Sequence, residues 1–143
     1  MQRNNPWQSY RKVATQTASP GQLVLMLYDG AIRFSEQALA GFEHRGDPLA
    51  FNQTINNNIH RAQAIIMELN AVLNMARGGE VAFNLRRLYL YMDRRLREAN
   101  IRKQREPIQE VIMRLRVVRD SWAEMLQQGS QDVNQKQGEL QTA

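Results

Sequence analysis

The chain has 143 residues, 43% of them hydrophobic, with no cysteine and a formal charge of +5. That length fits one domain with a real core, and the missing cysteines exclude disulfides and thiolate metal sites and suit a reducing cytosol. No apolar run reaches membrane-spanning length, the polar start Gln2-Arg3-Asn4-Asn5 is unlike a signal peptide, and the positive charge fits an acidic partner, nucleic acid, a membrane surface or simply an arginine-rich proteome.

Residues 1–18 form a polar arm in which Trp7, Tyr10 and Val13 recur every third residue, as anchors on a short turn would. Ser19-Pro20-Gly21-Gln22 then opens a helix expected over 20–43: serine suits the N-cap, proline the first helical position, and Gln22 can close a capping box. At about 100° per residue, Leu23, Leu27, Gly30 and Phe34 make one apolar seam, while Leu25, Tyr28, Ile32 and Leu39 make a second on the far side. Two seams mean full burial or a face kept for a partner.

Asp47-Pro48 begins a second helix, expected over 48–76, whose inner stripe is Ile55, Ile59, Ala62, Ile66, Leu69 and Leu73. Gly78-Gly79 closes it and releases a third over 80–100, with Val81, Leu85, Leu88, Met92, Leu96 and Ala99 inward. Pro107 starts a fourth over 107–128, with Ile108, Val111, Leu115, Val118, Trp122 and Met125 inward, and Gly129 is expected to stop it. Strand signals are absent, and connections of about three to six residues make sequential helices antiparallel. The expected fold is all-α: an up-down-up-down four-helix bundle over 19–128, with the arm 1–18 before it and a polar tail 129–143 expected to be disordered. Ile59, Ile66, Leu88 and Leu115 are its expected core markers.

Catalytic constellations do not assemble on this pattern. A di-iron bundle needs paired Glu-x-x-His motifs, yet neither His44 nor His60 has a glutamate three residues before it. No cysteine nucleophile exists, neither histidine is placed to activate Ser9, Ser19, Ser35 or Ser121, and Arg77-Gly78-Gly79-Glu80 reads as a helix-breaking loop rather than a phosphate cradle. The chain is therefore expected to be no enzyme and to need no metal or cofactor.

Apolar surface is left over instead. Besides the Leu25, Tyr28, Ile32 and Leu39 seam, helix two carries Ala64, Met67, Ala71 and Met75 away from its core stripe. Helix three carries Phe83, Leu90 and Ile101 among Arg86, Arg87, Arg94 and Arg97, and helix four is polar outside apart from Met113 and Val117. Such surface fits grooves that accept a partner's helices. The plainer alternative makes the first helix central, with Met67 and Met75 as scattered surface residues. The arginines of helix three and the loop after it allow a solvated face, an acidic protein partner or nucleic acid, although no recognition helix or aromatic strand surface accompanies them.

These residues resemble the FliS family of flagellin-specific export chaperones of bacterial flagellar secretion. The likeness is carried by Asn5-Pro6-Trp7-Gln8-Ser9-Tyr10, Ala18-Ser19-Pro20-Gly21-Gln22-Leu23, Met26-Leu27-Tyr28-Asp29-Gly30-Ala31, Ala62 to Leu69, Leu88-Tyr89-Leu90-Tyr91-Met92, Arg95-Leu96-Arg97-Glu98-Ala99-Asn100 and Trp122, in order over about residues 5–127. The resemblance implies a cytoplasmic four-helix bundle that binds the disordered C-terminal segment of flagellin, prevents premature polymerisation and helps deliver it to the export gate. It also implies an arm that covers part of the groove, with Tyr10 matching a family tyrosine. Trp7 stands where a tyrosine is usual, and the strong basicity is no family hallmark. Flagellin is thus the expected partner, joined by export-gate components when loaded. Its expected contacts are Trp7, Tyr10, Val13, Leu25, Tyr28, Ile32, Leu39, Ala64, Met67, Ala71, Met75, Phe83 and Leu90. A nucleic-acid-associated basic bundle is the second reading.

Overall fold

The computed structural model describes residues 19–142, the side chains at 76–77 and 130–142 excepted. Four helices occupy nearly all of it, and no strand occurs among the described residues. α1 (Pro20–Ala40) starts as its sequence dictates: the Gln22 amide donates to Ser19 Oγ at 3.2 Å, and the Ser19 amide donates to Gln22 Oε1 at 3.3 Å. A 3-10 turn, Gly41–His44, follows. α2 (Pro48–Ala71) is capped by Asp47, whose Oδ1 accepts from the Ala50 amide at 3.2 Å. α3 (Met75–Arg102) holds one break, at Gly79, and α4 (Glu106–Thr142) completes the chain.

Two helix ends differ from expectation. α2 stops at Ala71, not 76, because Val72 leaves the helix and half-buried Leu73 turns in against the core. A short turn from Met75 leads to Gly79, whose φ of 54° and ψ of −129° suit only glycine. α4 continues through Gly129 to Thr142; one glycine in a helix interior costs only about 1 kcal/mol and need not end it. The packing of that tail lies outside the described side chains, as do Trp7, Tyr10 and Val13 of the arm.

α1 packs on α2 and α4, and α3 packs on the same two helices. Along the α1–α4 seam Gly21 meets Trp122, Asp29 meets Arg119 and Glu36 meets Arg116, so these helices run in opposite directions. Asn56 with Asn100, and Gln63 with Asp93, give α2 and α3 the same relation. The core has Leu27, Ala31 and Phe42 from the first segment, Ile55, Ile59, Ile66 and Leu69 from α2, Met92, Leu96 and Ala99 from α3, and Ile108, Val111 and Leu115 from α4. α1 and α2 approach closely at Gly30, where a Cβ would sit 3.1 Å from Ile65 Cδ1.

Three inward assignments change. Val81 is 68% exposed, and the neighbouring Ala82 is buried in its place. Leu88 is half-buried at the core's edge because Tyr89 takes the central position. Met125 is exposed; half-buried Leu126 reaches the α1 start at Gly21 instead. Ile59, Ile66 and Leu115 are fully buried as expected.

Candidate partner-binding surface

Tyr28 of α1 and Tyr89 of α3 face each other across the diagonal of the bundle, each 1% exposed, with hydroxyls hydrogen-bonded to one another. Their rings lie 6.4 Å apart, tilted by 49°. Burial pushes both hydroxyls above the ordinary tyrosine range, so the pair stays neutral. The expectation that Tyr28 lies on an open seam is therefore corrected. A hydroxyl partner lets the ring be buried at little cost, and that partner sits on a different helix, where periodicity cannot see it. Ile32 and Leu39 are half-buried against the core, and Leu25 is half-buried too. Most of the second stripe of α1 is thus covered.

The open apolar surface lies instead in concavities between helices. Between α1 and α4, a groove of about 540 Å³ is lined by Leu39, Ile112, Met113 and Val117, with Glu36, Gln109, Arg116 and Asp120. Met113 and Val117 are 60% and 63% exposed there. Between α2 and α3, a groove of about 350 Å³ holds Ala64 and Met67 beside His60, Gln63, Asp93, Arg97 and Asn100. Where α2 gives way to α3, a cavity of about 280 Å³ is walled by Val24, Leu69, Leu73, Val81, Leu85 and Trp122, and Tyr28 and Tyr89 also line it. Between α3 and α4, about 550 Å³ is lined by Asn84, Arg87, Leu88, Leu90, Tyr91, Arg94 and Arg114.

The expected contact residues are thus distributed over several grooves rather than gathered on one face. Leu39 belongs to the α1–α4 groove, Ala64 and Met67 to the α2–α3 groove, and Leu90 to the α3–α4 groove. Ala71, Met75 and Phe83 are exposed at the surface. Met113 and Val117 show in the sequence as apolar residues on the outer face of helix four. Val81 carries no such signal, because its neighbours place it on the core stripe.

Polar pairs hold these grooves at fixed width. Trp122 Nε1 donates to the Gly21 carbonyl at 2.8 Å, and Arg119 bonds Asp29 at 2.8 Å. Between α3 and α4, Glu110 accepts from Arg95 at 2.7 Å, from the Tyr91 hydroxyl at 3.0 Å and from Arg114 at 3.1 Å. Desolvation opposes ionisation of this carboxyl, but the donors from Arg95, Tyr91 and Arg114 together outweigh it and hold Glu110 below the ordinary carboxylate range. Among the described residues no group of three His, Cys, Asp or Glu could hold a metal ion, and no helix is long and apolar enough to cross a membrane. The surface offers burial of apolar side chains beside charged rims, which is the chemistry of binding another chain.

Comparison with known proteins agrees with that chemistry. The family model for the flagellar protein FliS matches residues 3–129. The flagellar secretion chaperone FliS of Bacillus subtilis is 36% identical over 128 residues, which cover 90% of this chain and 91% of that protein. The flagellar secretion chaperone FliS of Salmonella typhimurium is 38% identical over 112 residues, 78% of this chain and 80% of that protein. For the Campylobacter jejuni protein of the same name the identity is 30% over 128 residues, 87% of this chain and 94% of that protein. With apolar grooves at several seams of a helical bundle and a family match along most of its length, the chain belongs to the FliS family of flagellar secretion chaperones.

Proposed function

We propose that this chaperone binds the disordered C-terminal segment of flagellin in the cytoplasm, blocks its premature polymerisation and helps deliver it to the flagellar type III export apparatus. The observation that carries this reading is the placement of open apolar surface in separate concavities around the bundle: Met113 and Val117 in one, Met67 in another, Val81 in a third. A globular partner would need one continuous patch. A segment that is unfolded when free can instead lay successive amphipathic stretches into separate grooves, and the ordering it undergoes on binding keeps the affinity moderate enough for release.

Residues 1–18 enter the same reading. The chain emerges from them at Ser19, and Val24, one turn later, lines the cavity beside Trp122. An arm tethered there competes for apolar surface at high effective concentration, with Tyr10 as its main contact and Trp7 and Val13 beside it. Deleting residues 1–16 spares the Ser19 cap and is expected to raise apolar-dye binding with little loss of stability. Unchanged dye binding together with unchanged flagellin affinity would leave the arm without a role. The reading as a whole is tested by co-expression with flagellin. The chaperone is expected to co-purify with full-length flagellin and to lose it when the C-terminal segment is removed; equal recovery of both forms would contradict the reading.

A further inference from the structure

The arginines that crowd α3 in the sequence divide into two groups in the structure. Arg95 is engaged by Glu98 and Glu110, Arg97 by Asp93, and Arg105 by Glu43, with its guanidinium 5.3 Å from the centroid of the Phe42 ring. Arg87 and Arg94 pair with no carboxylate among the described residues, and both line the α3–α4 groove. Arg114 enters the same groove from α4, sharing Glu110 with Arg95. Arg94 and Arg114 lie over the Tyr91 ring at 5.6 and 5.2 Å from its centroid, so Arg94 is held by stacking alone and Arg114 by stacking together with its Glu110 pair. Beside them are half-buried Leu88 and half-exposed Leu90.

We propose that the α3–α4 groove is a second docking site, distinct in chemistry from the other grooves, and that it takes an acidic amphipathic helix of a protein partner. The argument is charge complementarity at helical spacing. Arg87, Leu90 and Arg94 follow one another at intervals of three and four residues along one face of α3, with exposed Phe83 one turn before them. A partner helix with carboxylates three and four residues apart beside an apolar stripe would set its acids on Arg87 and Arg94 and its apolar side chains on Leu90 and Leu88. From Phe83 to Arg94 the face extends about 16 Å, or three turns of such a helix. The α1–α4 groove lacks this character, since its Arg116 is bonded to Glu36 and Asp120 stands beside it. Nucleic acid fits less well. Two guanidiniums already stack on Tyr91 and its hydroxyl is held by Glu110, so the ring is not a free platform for a base.

The test uses the full chain and three probes of matched length or charge: a designed helical peptide with glutamates three and four residues apart beside leucines, a scrambled peptide of the same composition, and a short oligothymidine. Binding is read by fluorescence anisotropy, with backbone amide chemical shifts to locate it. The amphipathic peptide is expected to bind at least tenfold more tightly than either control and to shift the amides around Arg87, Leu90, Arg94 and Arg114. Arg87→Glu with Arg94→Glu is expected to weaken it at least tenfold while the thermal midpoint stays put. Arg94→Lys keeps the charge but loses the planar stacking, and is expected to weaken binding about threefold or more. Equal binding of the scrambled peptide or the oligothymidine would overturn the proposal in favour of an unspecific basic surface. So would amide shifts confined to the other grooves. Because flagellin is absent from every arm, failure here is distinguishable from failure of the flagellin reading.

Discussion

The Tyr28–Tyr89 pair shows how one hydrogen bond decides whether a polar aromatic can be core. Neither ring could be buried to 1% exposure without a partner for its hydroxyl. Tyr28→Phe is expected to strand the Tyr89 hydroxyl and cost about 1–3 kcal/mol in urea unfolding, whereas replacing both tyrosines by phenylalanine should cost less than the sum of the single changes. Strict additivity would show that the two hydroxyls are not coupled. Glu110 gives the matching electrostatic case. Its carboxyl is held below the ordinary range by Arg95, Tyr91 and Arg114, so its contribution is complete above the unfolded-state value and is lost as pH falls through the folded-state value. The thermal midpoint of the native chain is therefore expected to exceed that of Glu110→Gln at neutral pH, and the gap to close on acidification. A gap independent of pH would remove Glu110 ionisation from the account.

Among the elements, starts were legible and ends were not. Ser19 and Asp47 accept from amides three residues away and the prolines after them fix the helical φ, so a local sequence suffices to set where α1 and α2 begin. The end of α2 depends on Leu73 turning toward a core built by other helices, and nothing within its own turn announces that. The same distinction explains the stripes. Ile55, Ile59, Ala62, Ile66 and Leu69 face inward because spacing alone fixes a face, whereas the choice between Val81 and Ala82, or Leu88 and Tyr89, turns on an orientation of α3 set by its neighbours. Ile66→Ala is expected to cost about 2–5 kcal/mol and Leu88→Ala distinctly less, because Leu88 keeps part of its surface in water; equal losses in denaturant titration would contradict the placement of Leu88. Past the end of α3, Lys103 adopts a φ of 51°, while the Gln104 amide returns to the Ala99 carbonyl at 3.2 Å. This is a turn that glycine fits best, so Lys103→Gly is expected to stabilise the chain by about 0.5–1 kcal/mol.

Taken whole, the molecule is a bundle with a well-filled interior and unfilled seams. Of the residues expected to face a partner, Leu39, Ala64, Met67 and Leu90 line grooves, because an apolar residue off the core stripe has only the helix flanks to occupy. The grooves themselves were not legible, since each is made by two helices whose spacing is set by pairs such as Trp122 with Gly21 and Arg95 with Glu110. The central claim is that the α1–α4 and α2–α3 seams, and not the core, hold flagellin. It is tested most directly by calorimetric titration of the flagellin C-terminal segment into the native chain and into a Met67→Asp, Val117→Asp double variant. Both side chains are exposed, 40% and 63%, so the thermal midpoint is expected to stay nearly constant while affinity falls by about tenfold or more, roughly 1.4 kcal/mol. Undiminished affinity in a folded double variant would contradict the claim.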